Sequence, residues 1–204
     1  MSDINELDPA RIGCITASRI AGMLAKGKGV TRGNYCAELA ASRLTGKPHR
    51  DSFTSDAITH GNEFEAMART QYELRNGVMV EGTGKEFTPH PFVERSGASL
   101  DGMVGDDGVF EAKCPNTATF LEYKLTGEIP QKYRWQMLWQ LACTRRMWAD
   151  FVAFDPDLPE ADGYLQIRYT PTAQEIADLE REVRMFDCEV ELLVQKIISM
   201  RKEK

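Results

Sequence analysis

The feature that most constrains this chain is a change of apolar period at Gly77. Before it, apolar residues recur at helical spacing. After it come short segments rich in β-branched residues and bounded by turn residues, and past residue 115 the helical spacing returns. The spacing predicts helices at 16–25, 31–45 and 55–76, stopped by Gly27 and Gly29, by Gly46 with Pro48 beyond it, and by Gly77. Strands are expected at 78–81, 86–93, 98–104 and 109–114, with Gly105-Asp106-Asp107-Gly108 as the hairpin turn between the last two. Helices at 117–125 and 131–146, strands at 148–154 and 164–169 and one last helix complete the order. Helices on either side of a strand meander bury their apolar faces against a sheet. The expected class is therefore α/β (α+β), a central mixed β-sheet flanked by helices with a long C-terminal helix.

The 204 residues suffice for one well-filled core and show neither an internal repeat nor a linker that would separate domains. With 42% apolar and 27% charged residues, disorder and fibrous repeats are excluded. No apolar run approaches the roughly 18 residues of a membrane span. The start, Met1-Ser2-Asp3-Ile4-Asn5-Glu6, is acidic and unlike a secretory leader. Cys14, Cys36, Cys114, Cys143 and Cys188 are odd in number, scattered and without a C-x-x-C pair. They argue against disulfides or zinc and for small buried hydrophobes in a reducing compartment. The expectation is a cytoplasmic protein with no membrane association.

A net charge of −6 hides an asymmetry. From Pro9 to Arg50 stand eight basic residues (Arg11, Arg19, Lys26, Lys28, Arg32, Arg43, Lys47 and Arg50) and one acid, Glu38. That segment carries +7 and leaves −13 to the remainder. A basic lobe on an acidic body suits a polyanion bound at one place, and equally a solvated basic face. The last helix opens on a capping box, Thr172 with Glu175. Ile176, Leu179, Val183, Phe186, Val190, Leu193, Ile197 and Met200 then alternate at spacings of three and four. Such a stripe either lies on the chain's own sheet or joins subunits; the first is expected here.

Chemistry concentrates at Ser99-Leu100-Asp101-Gly102 and at Glu111-Ala112-Lys113. Glu111 and Lys113 are two apart on a strand, so both side chains leave one face. A two-residue turn would oppose Asp101 to Ala112 and send Glu111 to the other face. An odd loop, or a bulge, corrects the parity, and Gly105 and Gly108 ease either. Two carboxylates on one spot are hard oxygen ligands for Mg²⁺, and a lysine beside them can orient or deprotonate a water and stabilise charge on a phosphate. The same trio also reads as surface salt bridges on a hairpin. Three further features point to the first reading. They are Glu65 in the long helix, Gln136 on the helix after the hairpin, and Arg11 just before a helix start rich in hydroxyls. His49, His60 and His90 have no metal spacing and read as surface or capping residues. Lys26-Gly27-Lys28-Gly29 lacks Walker spacing, and Trp135, Trp139 and Trp148 read as core.

The motifs R-x-G-x-I-T-A-S (11–18), H-G-N-x-x-E-x-x-A-R (60–69), S-x-D-G (99–102), E-x-K (111–113) and Y-x-x-Q (133–136) follow one another in order. Together they resemble the lambda exonuclease (YqaJ-type viral recombinase) family of the PD-(D/E)XK nuclease superfamily, over roughly residues 11–156. The resemblance implies a PD-(D/E)XK core. It also implies a Mg²⁺-dependent (or Mn²⁺-dependent) exodeoxyribonuclease that resects linear double-stranded DNA from 5′ ends, leaving 3′ strands for phage-type homologous recombination. It implies Asp101, Glu111 and the Ala112 carbonyl as metal ligands, Lys113 and Gln136 as positioners of the attacking water, and Glu65 as a helical carboxylate beside the metal. Arg11, Ser18 and Ser99 would form a 5′-phosphate pocket. It implies further a homotrimer, a single-strand annealing protein as partner, and a phage or prophage protein in the bacterial cytoplasm. Residues 1–204 are then one exonuclease domain: a basic DNA-end-binding part at 1–50, a catalytic core at 55–156, and a strand and long helix at 157–204. The alternatives are an endonuclease on the same fold, or a non-catalytic DNA-end-binding module. The complete set of Asp101, Glu111 and Lys113 speaks against the module.

Overall fold

In the computed structural model of the chain, the extended run expected at 98–104 is broken at Leu100 and Asp101, and its halves join two different sheets. The structure describes residues 9–25, 30–48, 55–83 and 86–202, with side chains omitted at 55–63 and at 202. The smaller sheet has the order β1 (Ile15–Thr16), β4 (Ser96–Ser99), β3 (Phe87–Pro89), with β1 and β4 parallel. The larger has the order β2 (Val80–Glu81), β5 (Gly102–Val104), β6 (Gly108–Lys113), β7 (Trp148–Phe154), β8 (Tyr164–Tyr169). Only its β6–β7 pair is parallel. The class is as expected, mixed α/β, but the single sheet of the sequence reading is two.

The parallel pair is buried on both faces, which is why β6 and β7 read as nearly unbroken apolar runs. On one face lies α3 (Ser55–Asn76), whose Ala68 and Tyr72 meet Phe110, Ala112, Val152 and Phe154. On the other lies α5 (Gln131–Thr144), whose Met137, Trp139 and Leu141 share a core with Val109, Phe151 and Ala153. Helix α4 (Thr117–Thr126) precedes α5. The Oδ1 of Asn116 caps its start by accepting from the Thr119 N–H at 2.9 Å, and Gly127 at φ +64° ends it.

The last helix, α6 (Ala173–Lys202), begins with the expected capping box. The Thr172 N–H donates to Glu175 Oε2 at 2.8 Å, and the Glu175 N–H donates to Thr172 Oγ1 at 3.2 Å. Its apolar stripe packs inside the chain from Ile176 to Leu193, yet on helices rather than on the sheet, while Met200 at its end is exposed. Leu179, Val183, Phe186 and Val190 are buried against α2 (Val30–Thr45) and α5, with the Phe186 ring stacked 5.5 Å from Tyr35. The same contact engages part of the basic lobe. Arg32 and Arg43 of α2 pair with Glu189 and Asp187 of α6, while Arg19 pairs with Glu38 at 2.6 Å. Three of the five basic side chains of that segment that lie among the described residues are thus paired within the fold. Lys26, Lys28 and Arg50 lie outside the described residues.

Other expectations need revision. All five cysteines are free, but only Cys143 is buried and Cys188 is exposed. His90 is a capping residue as expected, though a buried one: its Nδ1 accepts from the Phe92 and Val93 N–H groups at 3.1 and 3.0 Å. His49, the His60 side chain and residues 26–29 lie outside the described set. Trp139 is core, while Trp135 and Trp148 are half-buried. Among the described residues no helix is long and apolar enough to cross a membrane.

Candidate active site

The register of β5 on β6 decides what the hairpin can do. Gly102 pairs with Phe110, Met103 with Val109 and Val104 with Gly108, so residues 105–107 form a three-residue loop. Gly105 takes φ +53°, the left-handed region that favours glycine. The odd loop supplies the parity that a two-residue turn lacks, and one step further along the register sets Asp101 opposite Glu111. The neighbouring glycine has a packing reason: a Cβ on Gly102 would lie 2.1 Å from Val80 Cγ1 of β2. Beyond Gly102 the ladder ends, and Asp101 Oδ2 accepts the Ala112 N–H at 3.0 Å in place of the next strand residue. An extended residue turns its N–H and C=O to the same edge, so the Ala112 carbonyl also faces Asp101.

Glu111 is fully buried on the α5 side of the sheet. Its Oε1 accepts from Gln136 Nε2 and its Oε2 from Gln140 Nε2, both at 2.6 Å. Lys113 Nζ contacts Glu111 Oε1 and lies 3.9 Å from Asp101 Oδ2. An ammonium therefore sits where the two carboxylates converge. Burial first, and then the Asp101 charge, push the Glu111 carboxyl up to about 7 against the pull of Lys113. Burial alone would lower the Lys113 ammonium, but Glu111 and Asp101 outweigh it and raise it. In this arrangement the two carboxylates favour the charged form of Lys113. Burial, with Glu65, Asp101 and Asp155 nearby, raises the Cys114 thiol to about 12.

The donor set fits Mg²⁺ or Mn²⁺. Two carboxylates and a carbonyl beside one another leave room for the waters that Mg²⁺ retains, and the Asp101 charge, which after burial helps to raise Glu111, is one that a cation would offset. Among the described residues no three Asp, Glu, His or Cys side chains form a ready metal cage. Glu65 therefore stands near Cys114 without completing one with Asp101 and Glu111.

The expected phosphate pocket is placed only in part. The parallel β1–β4 pairing sets 15–16 beside 96–97, and the turn Ala17–Arg19 packs against β4 and α5. Arg11 Nε and Ser99 Oγ are both buried hydrogen-bonding groups without a partner. Ser18 is exposed. The helix expected from Thr16 is a 3₁₀ turn followed by α1 (Ile20–Met23), too short to add much of a dipole. Gln140 escaped the sequence reading; its signal was a second glutamine one turn after Gln136 on the same helix.

The model of the YqaJ-like viral recombinase domain matches residues 7–147. The chain belongs to the YqaJ-like viral recombinase family. Two solved structures of the alkaline exonuclease LHK-Exo from Laribacter hongkongensis are similar throughout. The one in complex with dAMP has 38% identity, coverage of 96% of either chain and a TM-score of 0.88. The other has 38% identity, coverage of 95% and 96% and a TM-score of 0.85. A phage-related exonuclease from Haemophilus somnus 129PT shares the fold at 16% identity, with coverage of 90% and 96% and a TM-score of 0.66. No curated protein sequence is significantly similar. Membership in the YqaJ-like family places the chain among recombination-related nucleases.

Proposed function

We propose that this YqaJ-like protein is a Mg²⁺-dependent (or Mn²⁺-dependent) exodeoxyribonuclease that degrades linear duplex DNA from its 5′ ends and leaves 3′ strands for an annealing protein. The observation that carries the reading is the convergence of Asp101, Glu111 and Lys113 on one strand edge, braced from α5 by Gln136. The similarity to LHK-Exo, an alkaline exonuclease, supports it. So does the unpartnered state of Arg11 Nε and Ser99 Oγ, two buried donors of the kind an anion satisfies.

Asp101, Glu111 and the Ala112 carbonyl would hold the ion, which when bound acidifies a water and offsets charge on the phosphate. Lys113 donates to the attacking water or to a phosphate oxygen, and Gln136 holds Glu111 Oε1 while presenting its amide at the same opening. Arg11 and Ser99 receive the terminal 5′-phosphate, with Ser18 on the rim. Glu65 adds negative charge on the α3 side. A ring-shaped homotrimer in the bacterial cytoplasm, acting beside a single-strand annealing protein of the same phage or prophage, is the assembly proposed with this activity.

The test is digestion of linear and of covalently closed duplex, with Mg²⁺ or with EDTA, using 5′ and 3′ end labels. The exonuclease reading expects Mg²⁺-dependent loss of the linear form alone, with the 5′ label released first. Cleavage of the closed circle would make the protein an endonuclease, and binding without cleavage would make it an end-binding module.

A further inference from the structure

A ring of three identical copies cannot close on one self-complementary patch; each copy must present two different surfaces that fit one another head to tail. Helix α6 offers such a pair, one near each end. Near its start a cleft of about 340 Å³ opens between α6 and the first half of α5. Trp135, Leu138 and Leu179 give the cleft an apolar floor. On its rim Arg134 pairs with Glu175 at 3.0 Å and Arg181 with Asp178 at 2.8 Å, so these four charges cancel. Glu182 is left over: among the described residues its half-buried side chain has neither an ion pair nor a hydrogen bond. The floor suits apolar side chains, and the rim suits one cation and repels a phosphate.

Toward its other end α6 carries the counterpart. Val190 and Val194 are still buried, but Leu192 is 71% and Met200 59% exposed. Lys196 stands four residues from each, so the three side chains line one exposed face. Among the described residues Lys196 also lacks an ion pair. The two surfaces cannot meet within one chain, because Glu182 and Lys196 are fourteen residues apart on one helix, or ~21 Å. We infer, resting on the reading that the protein is a homotrimer, that the Leu192–Lys196–Met200 face of one copy docks in the α5–α6 cleft of the next. Lys196 then meets the next copy's Glu182, and the apolar pair covers the floor. The cleft lies on the side of α5 away from Gln136 and Gln140, so the contact leaves the metal site open.

Light scattering over a dilution series of the full chain tests this, with circular dichroism as the check on folding. The variants are Lys196→Glu, Glu182→Lys and the two together. Lys196 is exposed, so its reversal leaves the core intact even if that of the half-buried Glu182 does not. Each single reversal sets like charges face to face and should weaken assembly by roughly a hundredfold, releasing folded monomers. The double variant restores opposite charges and should assemble again. Trimers in Lys196→Glu at the dilutions where wild type is trimeric would overturn the contact while leaving the homotrimer reading in place. Folded monomers in the double variant would overturn the pairing of Lys196 with Glu182. A wild type that is monomeric at every dilution would overturn the homotrimer reading itself, and the contact with it.

Discussion

On the proposed reading, Arg11 is the side chain that sets the direction of digestion. An enzyme that starts at 5′ ends must hold a group found only there, and the terminal phosphate is the simplest candidate. Arg11 carries a planar donor fork suited to phosphate, and its Nε is buried without a partner in the fold. Arg11→Ala should therefore slow digestion of 5′-phosphorylated ends far more than of 5′-hydroxyl ends. A lost charge-assisted contact of ~1.5–3 kcal/mol corresponds to roughly tenfold to a hundredfold in rate. Equal slowing on both substrates would remove Arg11 from phosphate recognition. Ser99 is proposed as a companion through the family resemblance of its S-x-D-G motif, which it shares with Asp101. Gln140 was not, because a glutamine amid Met137, Trp139 and Leu141 gives no sign of which neighbour it serves until β6 is placed beneath α5.

At the scale of elements, α6 shows what periodicity can and cannot tell. The alternation from Ile176 onward marks an apolar face, but spacing alone does not say what covers it. The cover is α2 and α5, and the charged rows beside the seam fix the pairing through Arg32–Glu189 and Arg43–Asp187. Phe186 is fully buried at the centre of the seam, stacked on Tyr35 and carrying the Arg32 guanidinium 4.6 Å over its ring. Phe186→Ala should cost about 3–5 kcal/mol of stability, seen as a lower urea midpoint at unchanged slope. A loss below about 1 kcal/mol would show that the site collapses or that the seam contributes little. The bounds 55–76, 148–154 and 164–169 coincide with the elements observed, with Gly77 closing the first, Asp155-Pro156 the second, and Gly163 opening the third. The break at Leu100–Asp101 did carry a turn signal, Asp101-Gly102, but the strand-like residues on both sides read as one run, and sequence alone does not show that its halves join different sheets.

At the scale of the molecule, the two sheets are joined through α5, which presents Gln136 and Gln140 to Glu111 and stacks Trp139 on His90 at 4.7 Å. His90 Nδ1 accepts two backbone N–H groups, so its proton is on Nε2, 3.3 Å from Glu180. Burial lowers its basicity below the ordinary 6.5, more than the Glu180 charge raises it, with Arg184 and Arg145 adding to the fall. A depressed histidine binds its proton more readily in the unfolded chain, so its contribution is complete above pH 6.5 and is lost as pH falls below it. His90→Gln should lower the melting temperature at pH 8, and the gap to wild type should narrow toward about pH 5.5. A gap that is constant with pH would mean that His90 does not titrate on unfolding.

The central claim is that one metal-holding carboxylate pair cuts DNA in this fold, and Asp101→Asn tests it most directly. The variant keeps an acceptor for the Ala112 N–H, so the hairpin should stay folded, and its binding to linear duplex should remain measurable because the change leaves Arg11 and Ser99, the residues proposed to hold the phosphate, in place. In the presence of Mg²⁺ the account predicts that wild type degrades a 5′-phosphorylated linear duplex while Asp101→Asn, bound to the same DNA, releases no nucleotide. Mg²⁺-dependent release by Asp101→Asn at the wild-type rate would contradict it.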